Sequence, residues 1–188
     1  MEFSEDTFAK AAKNGSLEEM KRLREQGCPW GLGTFESAAE NGSLENMKWL
    51  HEQGCCPEKP GNPDDQCVFD IIAENGSLEN MKWLHENGFD WDSETFSYAA
   101  ENGSLENMKW LHEKGCPWPV LFTGPLSISA EKGSLENMKW LREKGCPWDS
   151  ETFSSAAKNG SLENMKWLRE QGCPVGTFDF KYGSVENV

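Results

Sequence analysis

Thr95-Phe-Ser-Tyr-Ala-Ala-Glu-Asn-Gly-Ser-Leu-Glu-Asn-Met-Lys-Trp-Leu-His-Glu-Lys-Gly-Cys-Pro-Trp118 contains one complete structural unit. Phe96, Ala99 and Ala100 share a narrow apolar face at helical spacing, which predicts a short helix from about Glu94 to Asn102. Asn102-Gly103 stops it. Ser104 can then cap a second helix by accepting a backbone N–H two or three residues on, and Glu106 suits its positive N-terminal end. Leu105, Met108 and Leu111 form the second apolar face, Gly115 supplies a left-handed stop, and Cys116-Pro117-Trp118 makes the return. Two helices of two and three turns are too short to stand alone, so the unit needs neighbours to stack on.

The neighbours are in the sequence. Asn-Gly-Ser-Leu-Glu-Asn-Met-Lys-Trp-Leu recurs at Asn41, Asn75, Asn102 and Asn159, with variants opening at Asn14 and Lys132. Its glycines, Gly15, Gly42, Gly76, Gly103, Gly133 and Gly160, are spaced 27, 34, 27, 30 and 27 residues apart. The longer intervals point to insertions, one around Cys56–Asp65 and one near Pro119–Pro125, both rich in turn formers. A seventh, degenerate or truncated copy is expected over 175–188. The fold expected is all-α: one domain over 1–188, built as an α-solenoid of six helix-turn-helix repeats over about 5–174.

The repeat resembles the ankyrin repeat, whose first helix carries Thr-Pro-Leu-His-x-Ala-Ala and whose second ends at Gly. It differs in its shorter period, against about 33 for ankyrin, in Phe for Pro-Leu, and in Gly-Cys-Pro-Trp at the return. It is thus a short, Cys-Pro-Trp variety of ankyrin-like repeat. The residues saved lie where ankyrin repeats project a β-hairpin finger, so shortened or absent fingers are expected. The resemblance also implies a protein-binding role.

Composition narrows the partners. Eighteen Lys and Arg against 32 Asp and Glu give a formal charge of −14, which disfavours nucleic acid and anionic membranes. No apolar run approaches the ~20 residues that span a bilayer. The acidic start has no basic-then-apolar leader, and the seven cysteines are an odd number. A monomer with reduced thiols, in the cytoplasm or nucleus, is the expectation.

Catalytic readings are weak. His51, His85 and His112 share one helix position that holds Arg24, Arg142 and Arg169 in the other copies, as suits a solvated flank or packing stem, and no nucleophile-base spacing accompanies them. No enzyme activity, cofactor or metal is expected. The alternative is a zinc-binding or catalytic module at 55–67, where His51, Cys55, Cys56 and Cys67 offer ligands. Against it, Cys55 occupies the repeated Gly-Cys position of Cys28, Cys116, Cys146 and Cys173, where a small buried hydrophobe suffices. A further alternative is a fragment of a longer array whose effector part lies elsewhere.

The Asn-Gly-Ser sequons read as turn plus cap. The column Lys21, Lys48, Lys82, Lys109, Lys139 and Lys166, with Glu neighbours three and four residues away, reads as a salt-bridged wet strip. The helical tryptophans, Trp49, Trp83, Trp110, Trp140 and Trp167, lie off the core arc and read either as packing over the Pro-Trp turns, the preferred reading, or as a binding stripe.

Candidate partner residues come from positions that differ among near-identical units. Two residues after the Phe of the first helix, about 200° round the wheel, stand Lys10, Ser37, Ile71, Tyr98, Ile128 and Ser155. Ile71, Tyr98 and Ile128 are expected to form an apolar stripe on a wet face, bordered by Glu74, Glu101 and Glu131; the alternative is that the insertions at 56–65 and 119–125, which precede those helices, fold over and bury Ile71 and Ile128. Such a stripe would take a basic or amphipathic segment of a protein partner.

Overall fold

The computed structural model describes residues 4–31, 33–57, 67–92, 94–119, 124–148 and 150–175, without the side chain of Ser150. The loop expected at 56–65 lies outside these residues from Glu58 onward, that at 119–125 from Val120 to Thr123, and the seventh copy from Gly176. The described residues form helices α1 (Glu5–Lys13), α2 (Leu17–Glu25), α3 (Thr34–Asn41), α4 (Leu44–Glu52), α5 (Val68–Asn75), α6 (Leu78–Glu86), α7 (Thr95–Asn102), α8 (Leu105–Glu113), α9 (Pro125–Glu131), α10 (Leu135–Glu143), α11 (Ser150–Asn159) and α12 (Leu162–Glu170). None of the described residues is in a strand, in keeping with the shortened or absent fingers.

The repeated residues act as the spacing predicts. Ser16, Ser43, Ser77, Ser104, Ser134 and Ser161 each accept the N–H three residues on, at 3.3 to 3.4 Å, which satisfies a donor the helix cannot use internally. At the other end Gly115 takes φ 84°, and the Cys116 N–H reaches back to the Leu111 carbonyl at 3.0 Å. That is the Schellman closure, and it explains the Gly-Cys pair: the glycine permits the left-handed turn, and the next side chain folds inward.

The chain falls into two compact units, Met1–Asp92 and Ser93–Val188. In the first, α1, α3 and α5 stack in a row, each with its second helix alongside; in the second, α7, α9 and α11 do the same. The rows are closed by Phe8, Phe35, Phe69 and Phe96, all fully enclosed, with Leu126 taking the Phe position in α9. Met20, Met47, Met81, Met108 and Met138 seal the second helices. The alanines let the first helices approach closely. At the end of the described row, Leu162 is 55% and Val175 50% exposed.

The stacking steps are of two kinds. Across the 27-residue steps, α1 with α3 and α9 with α11, the first helices run together over more of their length than across the longer steps, α3 with α5 and α7 with α9. The amides of the repeated Asn register the difference. Asn80 Nδ2 donates to the Gly42 carbonyl at 2.8 Å and Asn137 Nδ2 to that of Gly103 at 2.9 Å, both across long steps. Asn46, Asn107 and Asn164 are equally buried, but their Nδ2 atoms have no hydrogen-bond partner.

Candidate binding surface

The first-helix column divides by burial. Lys10 is exposed and Ser37, Tyr98 and Ile128 are half-buried, whereas Ile71 and Ser155 are buried, Ile71 at 8% exposure. The expectation of a wet face therefore fails at Ile71. Ile71 is not an isolated case: α5 is buried at every residue from Val68 through Ala73, so its neighbours leave it no solvent side at that turn. Glu74, Glu101 and Glu131 are exposed, as a rim requires.

In the second unit Ile128, Glu101 and Glu131 meet a cavity, whereas Tyr98 is not part of its lining. Glu101, Ile128, Glu131 and Lys132 line a depression of about 290 Å³ where α7 packs on α9. Pro125 at the first position of α9 suits the helix start because its missing N–H is not needed there. α9 carries Ile128 at mid-helix. Lys132 Nζ bonds Glu101 Oε1 at 3.4 Å. At the equivalent step of the first unit the residue is Asn75, whose amide donates to the carbonyls of Ala39 (2.9 Å) and Glu40 (3.2 Å). A neutral tie between repeats is thus replaced by a cation over a carboxylate. Lys132 went unselected as a site residue, although its departure from the Asn column was the signal.

The histidine column is a packing device. His85 stacks on Trp91 at 4.8 Å and His112 on Trp118 at 5.2 Å, each on the return of its own repeat. Arg24 and Arg142 do the same over Trp30 and Trp148, at 3.7 and 4.0 Å. Imidazole and guanidinium are interchangeable here because both offer a flat, cation-capable face to an indole. His51, whose return lacks the Trp, instead meets the edges of Trp83 and Phe89. The helical tryptophans are half-buried or, for Trp110, 9% exposed, and Trp49 stacks on Phe8 of α1, a first-helix ring where a Pro-Trp turn was expected. The Lys column is wet but largely unpaired: Lys21 with Glu18, at 3.5 Å, is its one ion pair among the described residues.

The zinc set does not assemble. Cys55 is buried and Cys56 exposed, and the one group of three metal-capable side chains among the described residues is Cys67, Asp70 and Asp92, without His51 or Cys55. Asp70 Oδ2 accepts the Cys67 N–H at 2.9 Å, which closes the start of α5. Burial, and then the Asp70 charge, push the Cys67 thiol up to about 12. A thiol held protonated is a poor nucleophile and a poor ligand. Burial first, then the nearby Glu36, likewise raises Cys55 to about 11.

No family model and no curated protein matches the sequence. Among solved structures, the ankyrin repeat domain of human ASB11 superposes with a TM-score of 0.72 at 18% identity, over 94% of this chain and 88% of that one. The fold is that of an ankyrin repeat domain. The ankyrin period of about 33 lies close to the 34- and 30-residue steps, so the 27-residue steps are the shortened ones. None of the described helices is long and apolar enough to cross a membrane. A fold by itself does not fix a function, which resides in the sites built on it.

Proposed function

We propose that the chain is a non-catalytic scaffold that binds a protein partner through Tyr98 on α7 and Ile128 on α9, with Glu101 and Glu131 as the rim. One observation supports this most: on a framework repeated almost residue for residue, these first-helix positions are free to differ, and in the second unit Ile128 lines a depression together with Glu101 and Glu131. Glu74, the corresponding residue of α5 in the first unit, is exposed as well and is included in the proposal. The overall charge of −14 favours a basic or amphipathic segment over nucleic acid or an anionic membrane. The seven free cysteines suit a monomer in a reducing compartment, the cytoplasm or nucleus.

The test is quantitative affinity capture from the source cell with wild type and with Tyr98→Ala/Ile128→Ser. Anchors of this kind contribute about 2 kcal/mol or more each, so a true partner should be lost from the variant while the melting temperature holds. A partner retained at wild-type level would refute this surface.

A further inference from the structure

The depression on the second unit is small, about 290 Å³. That is at the lower limit for a small-molecule site and suits a single long side chain. Its lining combines one aliphatic side chain, Ile128, with two carboxylates, Glu101 and Glu131, and Lys132. One carboxylate is already met by a cation of the chain's own, Lys132, at 3.4 Å; Glu131 has no ion pair among the described residues. The Lys132–Glu101 pair is about half exposed at both ends, 47% and 51%. Pairs of that kind contribute little and exchange readily.

We propose that this pocket receives one arginine side chain of the partner polypeptide, its methylene stem over Ile128 and its guanidinium between Glu101 and Glu131, displacing Lys132 from Glu101. Arginine fits better than lysine because its planar fork can serve two carboxylates at once while its weakly hydrated face lies on an apolar side chain. Lys132 is then an internal competitor. Restoring the residue that the other five repeats carry at this position, Lys132→Asn, should open the pocket instead of damaging it. The assignment rests on the scaffold reading above and adds the chemistry of one contact.

The chain has three isoleucines, Ile71, Ile72 and Ile128. Two are buried in α5 and one lines the pocket. Methyl NMR of isoleucine-labelled protein therefore reads the pocket by a single signal, titrated with N-acetyl-arginine amide and, as the neutral isostere, N-acetyl-citrulline amide. The Ile128 methyl should shift saturably with arginine and not with citrulline, while Ile71 and Ile72 stay still. Lys132→Asn should tighten the arginine response about two- to fivefold, the equivalent of one exposed ion pair, and Glu101→Gln/Glu131→Gln should abolish it. No shift at tens of millimolar arginine, an equal shift with citrulline, or a weaker response in Lys132→Asn would overturn the proposal. Those results leave the capture experiment untouched: a partner lost from Tyr98→Ala/Ile128→Ser while arginine does not bind would sink the pocket chemistry alone.

Discussion

Asn46 and Asn80 occupy the same place in Gly-Ser-Leu-Glu-Asn-Met, are 1% and 2% exposed, and belong to the same compact unit. Their backbone N–H groups are capped alike by Ser43 and Ser77. Only their amides differ: Asn80 Nδ2 donates to the Gly42 carbonyl at 2.8 Å, and Asn46 Nδ2 donates to nothing. Replacing each with Ala deletes the same atoms at the same burial, so the void and propensity contributions cancel in the comparison. What remains is the bond. Asn80→Ala loses about 1 kcal/mol for the hydrogen bond and up to another 1 to 3 for the carbonyl left unmet. Asn46→Ala removes a buried donor that was already unmet, which returns about 1 to 3 kcal/mol against the cost of the void. Asn80→Ala should therefore be the less stable variant by about 2 kcal/mol or more, read as a shift of the urea midpoint at constant m-value. Equal destabilisation would refute the two-kinds-of-step reading, because it would mean that both amides make the same bond in solution.

The aromatic column gives a substitution that sequence distance alone would call drastic. His112→Arg should stay within about 0.5 kcal/mol of wild type, since Arg142 already makes that contact with Trp148, whereas His112→Ala should lose about 1 to 2 kcal/mol with its contacts to Trp118 and Trp140; thermal melts of the pair decide it. Cys146 gives a pH dependence. Burial holds its thiol up to about 12 against an ordinary 9.0, so between those values the folded chain keeps a proton that the unfolded chain has released, and stability falls as pH rises. The contribution is complete below about pH 9 and declines by about 1.4 kcal/mol per pH unit above it. Cys146→Ala should flatten the alkaline limb by that slope, and an unchanged slope in denaturant titrations from pH 8 to 11 would show that the thiol titrates freely.

Period, caps and stops were legible because each rests on local chemistry. A serine accepting the N–H three residues on, or a glycine taking positive φ, needs no knowledge of the neighbouring repeat. Core membership was legible for the same reason: Phe96, Ala99 and Ala100 face one way on any helix of that register, and all are fully enclosed. Ile71 was misread because a wheel assigns faces within one helix, whereas burial depends on what lies beside that helix. Val68 through Ala73 are buried all round, a property the angle of Ile71 does not contain. The histidine column reads from sequence as a flank or packing stem, but its partner escaped notice. The flat residue and the indole it covers are six positions apart, across a Schellman turn, and no helical periodicity brings them together.

The interval lengths carried more than the sequence reading took from them. The extra residues in the 34- and 30-residue steps were counted as surface loops, additions to an unchanged stack. In the structure the same long steps are where the Asn amide finds a glycine carbonyl in the previous repeat, Asn80 on Gly42 and Asn137 on Gly103. The short steps instead bring the Asn41 and Asn159 side chains onto Gly15 and Gly133, so closely that a Cβ on either glycine would lie 2.6 or 2.8 Å from the amide oxygen. A shorter connection draws the first helices together and uses the glycine as a seat; a longer one lets the second helix reach back to the carbonyl. Step length thus goes with whether the buried Asn amide of an identical motif finds a carbonyl in the previous repeat. The proposed arginine pocket lies at a long step, between α7 and α9, where a shallower overlap of first helices leaves room for a side chain from outside.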